Sequence, residues 1–169
     1  MEAARPASAA DRERIGELRA ELFAELGAYR GGDLWVRERM SAARADESAA
    51  YVGTIDDAVV AYGIVEVVEL RDGARIGAVT ELYVEPDARE VGVGETLVNA
   101  LLDWCREREC IGVDATALPG HRAAKNFFEE QGFVSRSLTM YRPLPPGDGT
   151  SDASEPPDEM EVSEAGGGA

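Results

Sequence analysis

A chain of 169 residues, 44% of them apolar, is long enough to bury one substantial core and suits a single domain. Its formal charge of −16 argues against nucleic acid as a partner, which calls for a basic footprint, and no apolar run approaches the roughly 18 residues that span a bilayer. Residues 1–10 lack a signal peptide's apolar core, so a cytoplasmic protein is expected, and Cys105 and Cys110 match neither a metal knuckle nor a disulfide framework, so no metal is expected.

In chain order, residues 11–29 carry Ile15, Leu18, Leu22, Phe23 and Leu26 at helical spacing and predict an amphipathic helix that Gly27 and the pair Gly31 and Gly32 stop. Residues 33–44 predict a second, shorter helix, capped by Asp33 and presenting Leu34, Trp35 and Met40 to something apolar. The loop between them, 28–32, is expected to be exposed and flexible. The period then changes to two. Residues 50–55, 59–70 and 75–84 are β-branched segments separated by Asp56–Asp57 and by Asp72–Gly73, which predicts three antiparallel strands in a meander.

Pro86 and Asp87 break the third strand, and the chain reverses through Arg89, Glu90, Val91, Gly92, Val93 and Gly94 into a helix with Leu97, Leu101, Trp104 and Cys105 on one face. Two glycines one residue apart at a helix mouth let backbone approach a bound group and leave the first-turn amides without intrahelical partners. Together with the positive end of the helix dipole this makes an anion cradle. From these residues alone a structural bend or a dinucleotide-binding turn stays open, although the latter calls for a third glycine after a first strand.

Residues 110–118 read as a nearly all-apolar strand which, returning after a helix, is expected to pair in parallel. Pro119 and Gly120 end it. Residues 121–130 predict a helix with Ala124, Phe127 and Phe128 as its apolar face, and 133–144 a last strand or hairpin. From 145 to 169 seven acidic residues stand with no Lys, Arg or His, too polar to offset the entropy of ordering. The expected organisation is a domain over 1–144 and a disordered acidic tail over 145–169.

The run REVGVG, Arg89 to Gly94, satisfies the Q/R-x-x-G-x-G/A signature of the GNAT N-acetyltransferase superfamily, between the strand ELYVEP and its helix. The predicted order ααβββαβαβ resembles the same superfamily. So does HRAAKNFFEEQGF, where Ala124, Gly132 and Phe133 fall in register with its N-x-x-A-x-x-x-Y-x-x-x-G-F segment. The resemblance covers roughly residues 10–144 and implies an α/β fold: a mixed, mostly antiparallel central sheet flanked by helices, with one splayed parallel strand pair. The activity it implies is direct transfer of an acetyl group from acetyl-CoA to a primary amine of a small molecule or peptide. No nucleic acid, membrane or metal enters that activity, and a homodimer is left open.

Carried over by position, the main chain of Leu82, Tyr83 and Val84 would pair with the pantetheine arm. The amides of Arg89, Glu90, Val91, Gly92, Val93 and Gly94, with Glu95, would hold the pyrophosphate. Asn126 is an expected coenzyme contact, and Arg122 and Lys125 are candidates for the 3′-phosphate. Glu90 stands where many relatives have another glycine. Glu81 is the expected base, acting through water, with an ion pair or solvent exposure as the alternative and Glu66 and Glu69 behind it. The superfamily's usual tyrosine falls at Phe128, which has no proton to give, so Tyr141 is the expected acid, with Tyr83 or water as substitutes. His121 replaces the superfamily's asparagine and reads as a surface histidine. Tyr29, Trp35 and Met40 are open to lining the acceptor pocket or packing in the core. A non-catalytic acyl-CoA-binding module, motivated by Phe128, is the alternative function.

Overall fold

The computed structural model describes residues 1–42 and 45–145, so the expected tail, apart from Pro145, lies outside the described residues. By its contacts the chain separates into two units, Met1–Ser135 and Arg136–Ala169. The described part of the second unit, 136–145, carries no helix or strand.

The first unit holds one sheet in the order β1-β2-β3-β4-β5, with β1 Glu2–Pro6, β2 Ser48–Ile55, β3 Ala58–Glu69, β4 Arg75–Val84 and β5 Gly112–Ala115. Pairing is antiparallel from β1 to β4 and parallel between β4 and β5. The helices are α1 Arg12–Gly27, α2 Gly32–Ser41, α3 Val93–Arg106 and α4 Arg122–Glu130.

The two faces of the sheet are covered by different helices, as the period-two alternation of the strands demands. Val52, Tyr62 and Tyr83 pack with Leu18, Leu22 and Leu26 of α1. Val65 and Val79 pack with Leu101, Trp104 and Cys105 of α3, and Ala61 packs with Val93 and Leu97. Each fully buried leucine of α3 contributes about 1.5–3 kcal/mol of transfer free energy.

One irregularity governs the site. Ile64 faces Glu81 while its neighbour Val65 faces Val79, so Thr80 is an extra residue in β4, a β-bulge. The extra residue inverts the alternation: Val79 points to the α3 side, whereas Glu81 and Tyr83 point toward α1. Parallel pairing with β5 also stops at the bulge, with Val79 opposite Ala115. Among the described residues, 81–84 of β4 are therefore paired on the β3 side only.

The meander and the parallel return agree with the sequence, and β4 has the expected bounds. Five expectations change. A first strand, β1, forms from EAARP, which has no apolar alternation, because the open edge of β2 pairs it from Glu2↔Ile55 to Pro6↔Tyr51. α2 begins before Asp33, with left-handed Gly31 at its N-cap and no side-chain cap, and ends at Ser41; positions 43 and 44 lie outside the described residues. The loop 28–32 is not uniformly exposed: Gly32 is buried and Tyr29 half-buried. Finally β5 shrinks to four residues because its partner bends away, and 133–144 forms no strand, since no described strand borders β5 on its outer side.

Candidate active site

The bulge, the turn into α3 and the approach of α1 and α4 enclose a cavity of about 640 Å³ in the first unit. Leu22, Glu25 and Leu26 of α1 and Trp35 of α2 form one wall, β4 from Val79 to Val84 another, and the turn residues Ala88, Arg89, Glu90, Gly92, Gly94 and Glu95 a third. His121, Asn126, Phe127 and Phe128 close it from the α4 side. The α4 helix has no fully buried residue, so its apolar face is half-covered and turned to this space.

The two glycines of the turn do different jobs. Gly92 is left-handed at φ 92°, forms the N-cap of α3 without any side-chain cap, and has nothing within 4 Å of where a Cβ would stand. The first-turn amides of α3 are therefore bare. Gly94 is a close-packing position: a Cβ there would lie 3.3 Å from the Phe127 ring and 3.4 Å from Val84 Cγ2. Glu90 is also left-handed, at φ 65°, a conformation glycine adopts freely and a side-chain-bearing residue at a cost of about 1–2 kcal/mol. A glycine, which the resemblance leads one to expect at this place, would take that backbone without the cost.

Glu81 is 4% exposed and fully engaged. Arg19 donates from Nη2 to Oε1 at 2.6 Å and from Nε to Oε2 at 2.9 Å and Oε1 at 3.1 Å, and Tyr62 donates to Oε2 at 2.8 Å. Each carboxylate oxygen thus accepts twice, which fills its lone pairs. Burial first, then the adjacent Glu81 charge, raises the pKa of Tyr62 far above its ordinary value and keeps its hydroxyl a donor. The ion-pair alternative for Glu81 is the arrangement present. Glu66 and Glu69 do not line the cavity.

Arg89 turns back on the protein. Its Nε donates to Val84 O at 3.0 Å and its Nη2 to Glu25 Oε2 at 2.7 Å, with the guanidinium 5.6 Å from the Tyr83 ring centroid. Tyr83 donates to Glu21 at 3.1 Å, and burial followed by that hydrogen bond pushes its pKa up to about 12.

His121, which reads from the sequence as a surface histidine, is instead drawn inward. Its side chain is only 12% exposed, lines the cavity, stacks on Tyr29 at 4.5 Å between centroids, and places Nε2 3.4 Å from Glu25 Oε1. Burial pushes its pKa down, Glu25 opposes the shift and Arg89 adds to it. The available signal was Pro119–Gly120 directly before it: left-handed Gly120 turns the chain so that His121 begins α4 facing inward.

Of the other expected site residues, Leu82, Tyr83, Val84, Gly94, Glu95 and Asn126 line the cavity. Val93 is fully buried in the core and Val91 is 48% exposed; neither side chain lines the cavity. Tyr141 lies in the second unit, 67% exposed, and the cavity is built without it. Lys125 is paired with Glu129 at 2.5 Å, and neither it nor Arg122 lines the cavity. Trp35 lines it; Met40 does not and is 72% exposed. Phe128 packs edge-on against Phe127 and Phe133, at 5.6 and 5.3 Å.

The model of the acetyltransferase (GNAT) family matches residues 13–133. No curated protein matches the sequence. Among solved structures, the ribosomal-protein-alanine N-acetyltransferase of Brucella melitensis biovar Abortus 2308 superposes with a TM-score of 0.65 at 18% identity, covering 86% of this chain and 100% of its own. The glucosamine-6-phosphate N-acetyltransferase of Arabidopsis thaliana gives 0.60 at 22%, covering 86% and 99%. The aminoglycoside N-acetyltransferase AAC(6′)-Iy in complex with CoA gives 0.65 at 17%, covering 85% and 95%. At these identities the likeness establishes the fold.

The Arg19–Glu81 pair yields a direct test. Arg19→Met leaves the buried Glu81 carboxylate without its countercharge and is expected to cost about 3 kcal/mol in urea unfolding, the low end for a broken buried pair because Arg19 is partly solvated. Adding Glu81→Gln should recover most of the loss; a cost below about 1 kcal/mol for Arg19→Met would show the pair to be energetically idle.

Proposed function

The chain belongs to the acetyltransferase (GNAT) family, and on that premise we propose that it transfers an acetyl group from acetyl-CoA directly to the primary amine of a small molecule or peptide. The observation that carries the proposal is the meeting of two unfilled main-chain features in one cavity. Among the described residues the edge of β4 over 80–84 has no partner on its β5 side, and the bare N-terminus of α3 opens beside it at Gly92. An unpaired edge takes an extended amide-bearing chain as an added strand, and a bare helix N-terminus takes phosphate. A pantetheine arm joined to a pyrophosphate presents those two groups in that order.

In this reading the main chain of Leu82, Tyr83 and Val84 orients the arm. The amides from Arg89 to Gly94 and the first turn of α3 hold the pyrophosphate, while Asn126 and the half-covered face of α4 flank it. Bound acetyl-CoA supplies a thioester whose carbonyl carbon an amine can attack. Glu81, with its lone pairs occupied and its charge met by Arg19, reaches no amine directly; the pair braces β4 against α1 beside the cavity. Water gives the proton to the departing thiolate, a tolerable leaving group at a pKa of about 8.5.

A second reading, an acyl-CoA-binding module without turnover, draws on Phe128, which puts a ring without a hydroxyl in the cavity wall. Two measurements separate the readings. Acetyl-CoA at 100 times its dissociation constant should stabilise the fold by about 2.7 kcal/mol, a rise of ~5–10 °C in melting temperature, and amines should then release thiol. No shift removes both readings, and a shift without thiol release across a broad amine and peptide panel leaves only the second. The turn gives a further prediction: Glu90→Gly removes a carboxylate beside the proposed pyrophosphate site and should tighten acetyl-CoA binding by about fivefold, whereas weaker binding would place the pyrophosphate elsewhere.

A further inference from the structure

Acyl transfer to an amine needs a group that takes a proton from the attacking nitrogen. Among the titratable groups lining the cavity, Glu90 and Glu95 stand at the turn proposed for the pyrophosphate and Glu130 is exposed at the end of α4, while three others are already engaged. Glu81 accepts from Arg19 and Tyr62, Glu25 accepts from Arg89, and the Tyr83 hydroxyl donates to Glu21. The imidazole of His121 is different: its Nδ1 takes no hydrogen bond among the described residues. We propose that His121 is the general base of the transfer, because its imidazole lines the cavity, is held by the ring of Tyr29 and has the Glu25 carboxylate behind it. This rests on the acyl-transfer reading of the cavity.

The surroundings fit the role on three counts. The stack on Tyr29, 4.5 Å between centroids and 21° between planes, fixes the ring without consuming a nitrogen. Glu25 stands 3.4 Å from Nε2, so an imidazolium is countered as it forms. Burial holds the ring's pKa below its ordinary value, with Glu25 of α1 opposing and Arg89 of the turn reinforcing, so at neutral pH it is uncharged and able to accept a proton. In the step, the amine nitrogen forms the C–N bond to the thioester carbonyl carbon while the C–S bond breaks and its electron pair leaves with sulfur. The proton shed by nitrogen passes to His121 and on to solvent past Glu25, and the sulfur takes a proton from water.

The chain has one histidine, so its ring can be titrated by NMR without assignment. The ring is expected to titrate below the ordinary histidine value of about 6.5, and its resonances to move when acetyl-CoA is added. The variant His121→Asn carries the amide that the superfamily pattern has at this place. It should keep the rise in melting temperature produced by acetyl-CoA and lose about 10²–10⁴-fold in kcat. It should also lose the acid limb of the kcat profile, whose midpoint in the wild type should match the ring's titration in the coenzyme complex. A ring that titrates at the ordinary value and ignores acetyl-CoA overturns the proposal without any turnover being measured. So does a variant within about threefold of wild type with its acid limb intact, an outcome that leaves the acyl-transfer reading standing. If acetyl-CoA does not stabilise the wild type, or no amine releases thiol, that reading falls and the assignment with it.

Discussion

A single extra residue, Thr80, sets the site. Without it, Glu81 and Tyr83 would continue the alternation of Val79 and point toward α3, and β4 could pair with β5 along its length. With it, the strand bends, the parallel pairing ends at Val79 and Ala115, and the last residues of β4 keep a free main-chain edge. Backbone N–H and C=O groups enclosed in a cavity are costly unless they find partners. The bulge therefore turns Glu81 toward Arg19 of α1 and, in the same stroke, leaves a row of peptide groups suited to an extended amide-bearing ligand.

The side chains around the bulge form two linked clamps from α1. Arg19 and Tyr62 hold Glu81, and Glu25 joins Arg89 on the turn to His121 on α4. Arg19, Leu22, Glu25 and Leu26 recur at helical spacing, so one face of one helix anchors β4, the turn and α4 at once. Arg89 is in this arrangement a strut: by holding the Val84 carbonyl and Glu25 it fixes the path of the turn whose residues line the cavity. Gly94 completes the frame by letting Phe127 approach the first turn of α3.

Much of the fold was legible because it follows local rules. The leucines of α1, the meander broken at Asp56–Asp57 and Asp72–Gly73, and the glycine turn before α3 are periodicity and turn chemistry, and they carried the family resemblance. Features that depend on a partner were not legible. β1 has no alternation of its own and exists because β2 has an open edge; β5 is as short as the bulge in β4 allows. Sequence spacing could not reveal Thr80, since a bulge shows only when two strands are compared across their ladder. For the same reason the surroundings of Glu81 and His121 were hidden: Arg19, Tyr62, Tyr29 and Glu25 reach them from elements far away in the chain.

The decisive measurement is amide hydrogen exchange, residue by residue, with and without acetyl-CoA. If the free edge of β4 and the N-terminus of α3 hold the coenzyme, exchange should slow at residues 82–84 and in the first turn of α3 after Gly92, and change little at β1 and β2. Stabilisation by acetyl-CoA with no slowing at these amides, or with slowing confined to other elements, would contradict the assignment of the cavity.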